Sequence, residues 1–167
     1  MRPTLTAIYE EHYEYVWRTL LRLGVRDAED AAQNVFLVAH RKLSTFDPTR
    51  PIRPWLFGIA FNVARETRRK ASERYERAIG SNGDSIGDVI GDLHSSDASR
   101  LEAAQLVHVA LAEVEESRRA VFVLYELDQE PMKEVADALG IPLNTAYSSL
   151  RRARQEFCDA VERLGGR

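Results

Sequence analysis

The sequence predicts an all-α protein, two small helical domains joined by a flexible acidic linker. Two observations carry this reading. Apolar residues recur at helical spacing through both ends of the chain, and no segment sustains the period-two alternation of a half-buried strand. Between the ends lies "GSNGDSIGDVIGDLHSSDAS", residues 80–99, rich in Gly, Ser and Asp and without Lys or Arg, a composition that favours an extended, solvated tether. At 44% hydrophobic and 29% charged, the 167 residues suit a globular chain of one ordinary domain or two small ones. The divisions expected are 1–79, 80–99 and 100–167. Each half alone has a limited core, so each is expected to gain stability from a partner.

A first helix is expected from Leu5 to Leu23, stopped by Gly24, which tolerates the left-handed cap. A second starts at Asp27, a good N-cap, with Glu29 and Asp30 beside the positive helix end, and runs to about Leu43. "STFDPTRPIRP" carries three prolines and is expected to be non-helical. A third helix is then predicted from Trp55 to about Ile79. The second half reads as helices over Arg100–Glu113, Glu116–Leu127, Met132–Leu139 and Leu143–Leu164.

Several classes of function find no support. The histidines, 12, 40, 94 and 108, are scattered, and no His/Glu pair has metal-ligand spacing on one helix. Neither a Walker-type phosphate loop nor a G-x-S-x-G elbow occurs. No catalytic group, cofactor or metal is expected. Cys158, the single cysteine, rules out an internal disulfide and is expected to pack as a small, partly buried apolar group. No apolar run approaches the roughly 20 residues of a membrane span, and the N-terminus lacks a signal pattern, so a cytoplasmic location is expected.

The net charge of −3 argues against indiscriminate coating of nucleic acid. Its distribution is more informative. Basic residues gather over Arg65–Arg77 and Arg151–Arg154, while acids gather at Asp84, Asp88, Asp92 and Asp97. Local basic patches on an acidic background fit nucleic-acid binding that depends on a larger partner.

Two stretches give that binding a form. In "WLFGIAFNVARETRRK", Phe57, Phe61, Arg65 and Arg68 make one stripe, and Leu56, Ile59, Ala60 and Val63 another. The second stripe is core. The first suits either core or a surface for anionic chains with flat rings. "MKEVADALGIPLNTAYSSLRRAR" has the pattern of a helix-turn-helix, with Ala136 at the crossing, Gly140 in the turn, and Val135, Leu139, Ile141, Ala146 and Leu150 as the apolar lock. A purely structural helical hairpin would share these features. As a DNA reader, its second helix would enter the major groove by its N-terminal end, presenting Asn144, Tyr147, Ser148, Arg151 and Arg152. Asn144 and Arg151 suit base edges, and Arg152 and Arg154 suit phosphates, with solvated surface charge the alternative for Arg154.

"DAEDAAQNVFLVAHRKLSTFD", "WLFGIAFNVARETRR" and "EVADALGIPLNTAYSSLRRAR", in that order, together resemble a bacterial RNA polymerase sigma factor of the short, two-domain extracytoplasmic-function group. The resemblance implies that Asp30, Gln33 and Asn34 dock on the coiled coil of the polymerase's largest subunit. Many relatives carry an acid at the Asn34 position, so charge counts for less here. It also implies that "FDPTRPIRP" and the following helix capture the −10 promoter element as a single strand. The residues concerned are Phe46, Arg50, Arg53, Trp55, Phe57, Phe61, Asn62, Arg65, Arg68, Arg69 and Lys70. Stacked bases are worth about 1–3 kcal/mol each, and basic groups hold the backbone. Core packing is the competing role for Trp55, Phe57 and Phe61.

The −35 element would be read as duplex by Asn144, Thr145, Tyr147, Ser148, Arg151, Arg152 and Arg154. Relatives often have basic residues where this chain has Tyr147 and Ser149, which shifts the expected base preference. The acidic linker is expected either to lie in the polymerase's basic RNA channel or to act as a passive tether. Implied partners are core RNA polymerase (its largest and second-largest subunits), promoter DNA and an anti-sigma factor, without obligate homo-oligomerisation. A stand-alone DNA-binding regulator is the second reading.

Overall fold

The structure, a computed structural model, describes residues 3–78 and 98–165. These form seven α-helices in two units, with no strand among the described residues. The first unit comprises α1 (Leu5–Arg22), α2 (Ala28–Lys42) and α3 (Ile52–Ala78). The second comprises α4 (Ala98–Glu113), α5 (Glu116–Phe122), α6 (Met132–Leu139) and α7 (Leu143–Gly165). Of the linker expected over 80–99, residues 80–97 lie outside the described residues, and Ala98 and Ser99 already belong to α4.

Local chemistry sets the helix ends. The Thr4 hydroxyl accepts from the Ala7 amide at 3.3 Å, capping α1. Gly24, at φ +84°, lets the Val25 amide reach back to the Leu20 carbonyl at 3.0 Å, a Schellman closure. Asp27 caps α2 by accepting from the Asp30 amide at 3.2 Å, as its position predicts. The prolines do not hold α3 back to Trp55. It begins at Ile52 and takes Pro54 into its first turn, where a proline is tolerated because the first amides have no intrahelical acceptor.

After α5 the chain widens into a π turn, Val123–Leu127, closed by the Asp128 amide on the Val123 carbonyl at 3.0 Å. The Asp128 carboxylate accepts from the Tyr15 hydroxyl at 2.8 Å and from Arg22 at 3.2 Å, both on α1. Burial raises the Asp128 pKa, opposed by the Tyr15 hydrogen bond and the Arg22 charge. Burial and the nearby Asp128 charge raise that of the Tyr15 hydroxyl in turn.

The two units share a continuous core. Val16, Leu20, Val35 and Phe57 from the first join Leu111, Val121, Leu124 and Val135 from the second. The two halves therefore cover part of one another's apolar surface. Their closest approach is α3 against α6: a Cβ on Gly58 would lie 2.4 Å from the Ala138 carbonyl oxygen. At α3's N-terminal end Arg50 donates to Glu134 and Asp137, and towards its C-terminal end Arg68 pairs with Glu116 at 3.3 Å.

Candidate polymerase and nucleic-acid interfaces

On α2, Ala32, Val35, Phe36 and Ala39 are buried, as the apolar stripe predicts, and Asp30, Gln33 and Asn34 are exposed. The three polar residues share the surface with an apolar groove of about 430 Å³ lined by Leu5, Thr6, Tyr9, Gln33, Phe36 and Leu37. Leu37 is 56% exposed and Tyr9 43%. Sequence reasoning missed both. The signal available was Leu37 itself, an apolar residue out of phase with the buried stripe.

In the segment before α3 and along that helix, the aromatic candidates divide by burial. Phe57 is 0% exposed, packed in the core between the units, and offers no ring face to a base. That corrects its candidacy as a stacking residue. Withdrawing a fully buried Phe would cost roughly 1.5–3 kcal/mol, which offsets the about 1–3 kcal/mol a stacked base returns. Phe46 and Phe61 are each 7% exposed and are likewise mostly core. Trp55 is half-buried, its ring centroid 4.8 Å from that of Phe46. Phe46, Trp55 and Pro54 help to line a cavity of about 170 Å³ that α6 covers.

The candidate cations are engaged to different degrees. Asn62 and Arg65 are exposed, with the Arg65 guanidinium 5.6 Å from the centre of the Phe61 ring. Arg69 bonds Glu66 and Glu73 on its own helix, and Lys70 sits 3.6 Å from Glu66. Such exposed pairs are worth little and yield readily to phosphate. Arg53 lies over the Tyr15 ring at 5.2 Å. Arg68 donates to the Leu23 carbonyl at 2.6 Å. The aromatic–basic stripe thus divides in two: the first three turns of α3 are buried on nearly every side between the two units, and the basic part beyond Phe61 faces outward.

The α6–α7 pair has helix-turn-helix geometry. Gly140 adopts φ +64° and ψ 34°, and the Ile141 amide closes on the Ala136 carbonyl at 3.0 Å. Ala136, Val135, Ala146 and Leu150 are buried at the crossing. Asn144, Thr145, Tyr147, Ser148, Arg151 and Arg152 are all exposed at the N-terminal part of α7. Leu143, 45% exposed at the first turn, joins them and was not anticipated. Arg154 is turned away to Glu126 and lies over the Tyr125 ring. Cys158 is exposed on α7, not packed as an apolar group. Among the described residues no cluster of His, Cys, Asp and Glu could hold a metal, and no helix is long and apolar enough to cross a membrane.

Comparison with known proteins gives the family. The family profile of sigma-70 region 2 matches residues 8–74, and that of sigma-70 region 4 matches residues 104–157. That pair of regions, in that order, defines a sigma-type transcription initiation factor. The ECF RNA polymerase sigma factor SigL of Mycobacterium tuberculosis is 31% identical over 96% of this chain and 90% of its own length. SigW of Bacillus subtilis is 28% identical over 90% of this chain and 83% of its own. The solved structure of the sigma factor RpoE with the anti-sigma factor NepR from Bartonella quintana has a similar fold, with a TM-score of 0.73 at 20% identity over 92% of this chain and 94% of that one. The chain belongs to the ECF RNA polymerase sigma factors, and its function is to direct RNA polymerase to promoters.

Proposed function

We propose that the three surfaces divide the work of initiation. Asp30, Gln33 and Asn34, with the Leu37–Tyr9 groove beside them, dock on core polymerase. Trp55, Asn62 and Arg65 take bases of the melted −10 strand, while Arg50, Arg53, Arg68, Arg69 and Lys70 grip its phosphates. Asn144, Thr145, Tyr147, Ser148, Arg151 and Arg152 read the −35 duplex in the major groove. The chain contributes binding and no catalysis of its own, acts in the cytoplasm and needs no second copy. An anti-sigma factor restrains it, as NepR is bound to the RpoE relative. The units expected over 1–79 and 100–167 carry these separate tasks, the second beginning two residues earlier, at Ala98 of α4.

The observation that carries this reading is the exposed N-terminal face of α7, mounted on a helix-turn-helix whose turn glycine has the required left-handed backbone. Its test uses two variants on one promoter. Arg151→Ala should relax base preference in the −35 element by about 10-fold, the worth of one bidentate base contact. Arg68→Ala should lower open-complex formation on duplex promoter more than on a pre-melted template. Equal losses for both variants on both templates would sink the division of labour.

A further inference from the structure

The reading helix α7 carries two different rows of side chains side by side. Positions 143, 147 and 154 fall in one row at helical spacing. In it Leu143 is 45% exposed and Tyr147 54% exposed. The cation of that row, Arg154, is already paired with Glu126 and laid over the Tyr125 ring. What the row offers a partner is therefore apolar. The neighbouring row is polar, with Asn144, Ser148 and Arg151 exposed. The Ser148 hydroxyl donates to the Thr145 carbonyl of its own helix at 3.0 Å, which leaves Asn144 and Arg151 as the donors of that row.

Leu143 and Tyr147 are not spare parts of the core. Ala146, Leu150, Ala153 and Ala160 supply the buried face of α7, and the two apolar residues stand outside it. Both lie in the N-terminal part of the helix, the part by which a helix-turn-helix enters the major groove. Apolar surface pressed against polar base edges would strip those edges of water without replacing their hydrogen bonds. It needs an apolar counterpart. Among the groups that base pairs display in the major groove, the C5-methyl of thymine alone is apolar.

We propose that Leu143 and Tyr147 select thymine in the −35 duplex by its C5-methyl group, beside the bases that Asn144 and Arg151 hold by hydrogen bonds. This deepens the −35 reading assigned above to α7 and rests on it. One helix then takes two kinds of information, a donor–acceptor pattern through its polar row and the presence of a methyl group through its apolar row. Cytosine is rejected at such a position because it lacks the methyl, and a reversed A·T pair because its methyl lies on the opposite strand.

The test uses holoenzyme assembled from the full chain and core bacterial RNA polymerase. Duplexes retained from a library with a random, promoter-length window are sequenced, and the upstream enriched block defines the −35 element. Each thymine of that block is then replaced singly by deoxyuridine, which deletes one methyl and leaves base pairing intact. At one or two positions the exchange should weaken binding about 4-fold, the worth of one buried methyl group. Leu143→Ala and Tyr147→Ala should each bind thymine and deoxyuridine equally at such a position, whereas Tyr147→Phe, which keeps the ring, should retain the penalty. Both alanine variants change exposed residues, and their melting temperatures report that the fold persists. Equal affinity of the unmodified chain for thymine and deoxyuridine at every position would overturn the proposal. So would a full penalty at every position in either alanine variant. If Leu143→Ala instead lowered co-elution with core polymerase and left the penalty intact, the row would be a protein contact and the proposal would fall. A window that yields no enriched upstream block sinks the −35 reading and the proposal together, while a defined block without methyl dependence sinks the proposal alone.

Discussion

Arg119→Ala should destabilise the protein more than any surface change. The Arg119 side chain is buried, and its Nη2 donates to the Ala112 and Val114 carbonyls, each at 2.9 Å, near the C-terminal end of α4. Its Nη1 reaches the Leu23 carbonyl at 3.3 Å, at the C-terminal end of α1. One cation therefore serves two helix ends from the two units, where carbonyls lack intrahelical partners and the helix dipoles favour positive charge. Burial and the neighbouring Arg68 lower its pKa, and Glu116 and Glu115 oppose that shift. Removing the guanidinium takes the donor from the Ala112 and Val114 carbonyls, while Leu23 keeps its bond from Arg68, a loss of about 3 kcal/mol. For a chain of this size that lowers the melting temperature by roughly 10 °C. Arg119→Lys, which can reach fewer of the carbonyls, should fall between. A melting temperature unchanged in Arg119→Ala would show that water satisfies these carbonyls and that the cation is dispensable.

The second large effect concerns the polymerase. Asp30→Ala combined with Gln33→Ala should weaken binding to core polymerase by about 100-fold, as expected when central interface anchors are truncated. Both residues are exposed on α2, and the Asp30 side chain holds no cap, because Asp27 supplies that. The melting temperature should therefore stay within a few degrees of the unmodified chain. Adding Leu37→Ala should deepen the loss without touching the core. Wild-type affinity in the double variant would remove α2 as the docking surface.

What could be read from the sequence follows the range of the interactions. Asp27 as a cap, Gly140 as the turn and the buried face of α2 are local or periodic features, and all were legible. The start of α3 was not. Three prolines argued for loop, yet Pro54 occupies a first-turn position that the helix accepts. Phe57 was ambiguous for a different reason: a helix that is apolar on several faces is either a surface or buried between two layers, and only the packing of α6 on α3 decides. The uses of Arg119 and Arg50 were beyond reach altogether. Nothing in the spacing of 50 and 134, or of 23 and 119, reports that they meet. The exposure of Asn144, Tyr147, Ser148, Arg151 and Arg152 was legible because their spacing on one helix fixes one face, whereas Arg154 falls outside it.

The most direct measurement is gel filtration of the purified chain mixed with core bacterial RNA polymerase. Co-elution at one-to-one stoichiometry is the predicted result, with specific transcription from a cognate promoter following. Separate elution, with the chain binding duplex DNA alone, would contradict the account and return the helix-turn-helix to a stand-alone regulator.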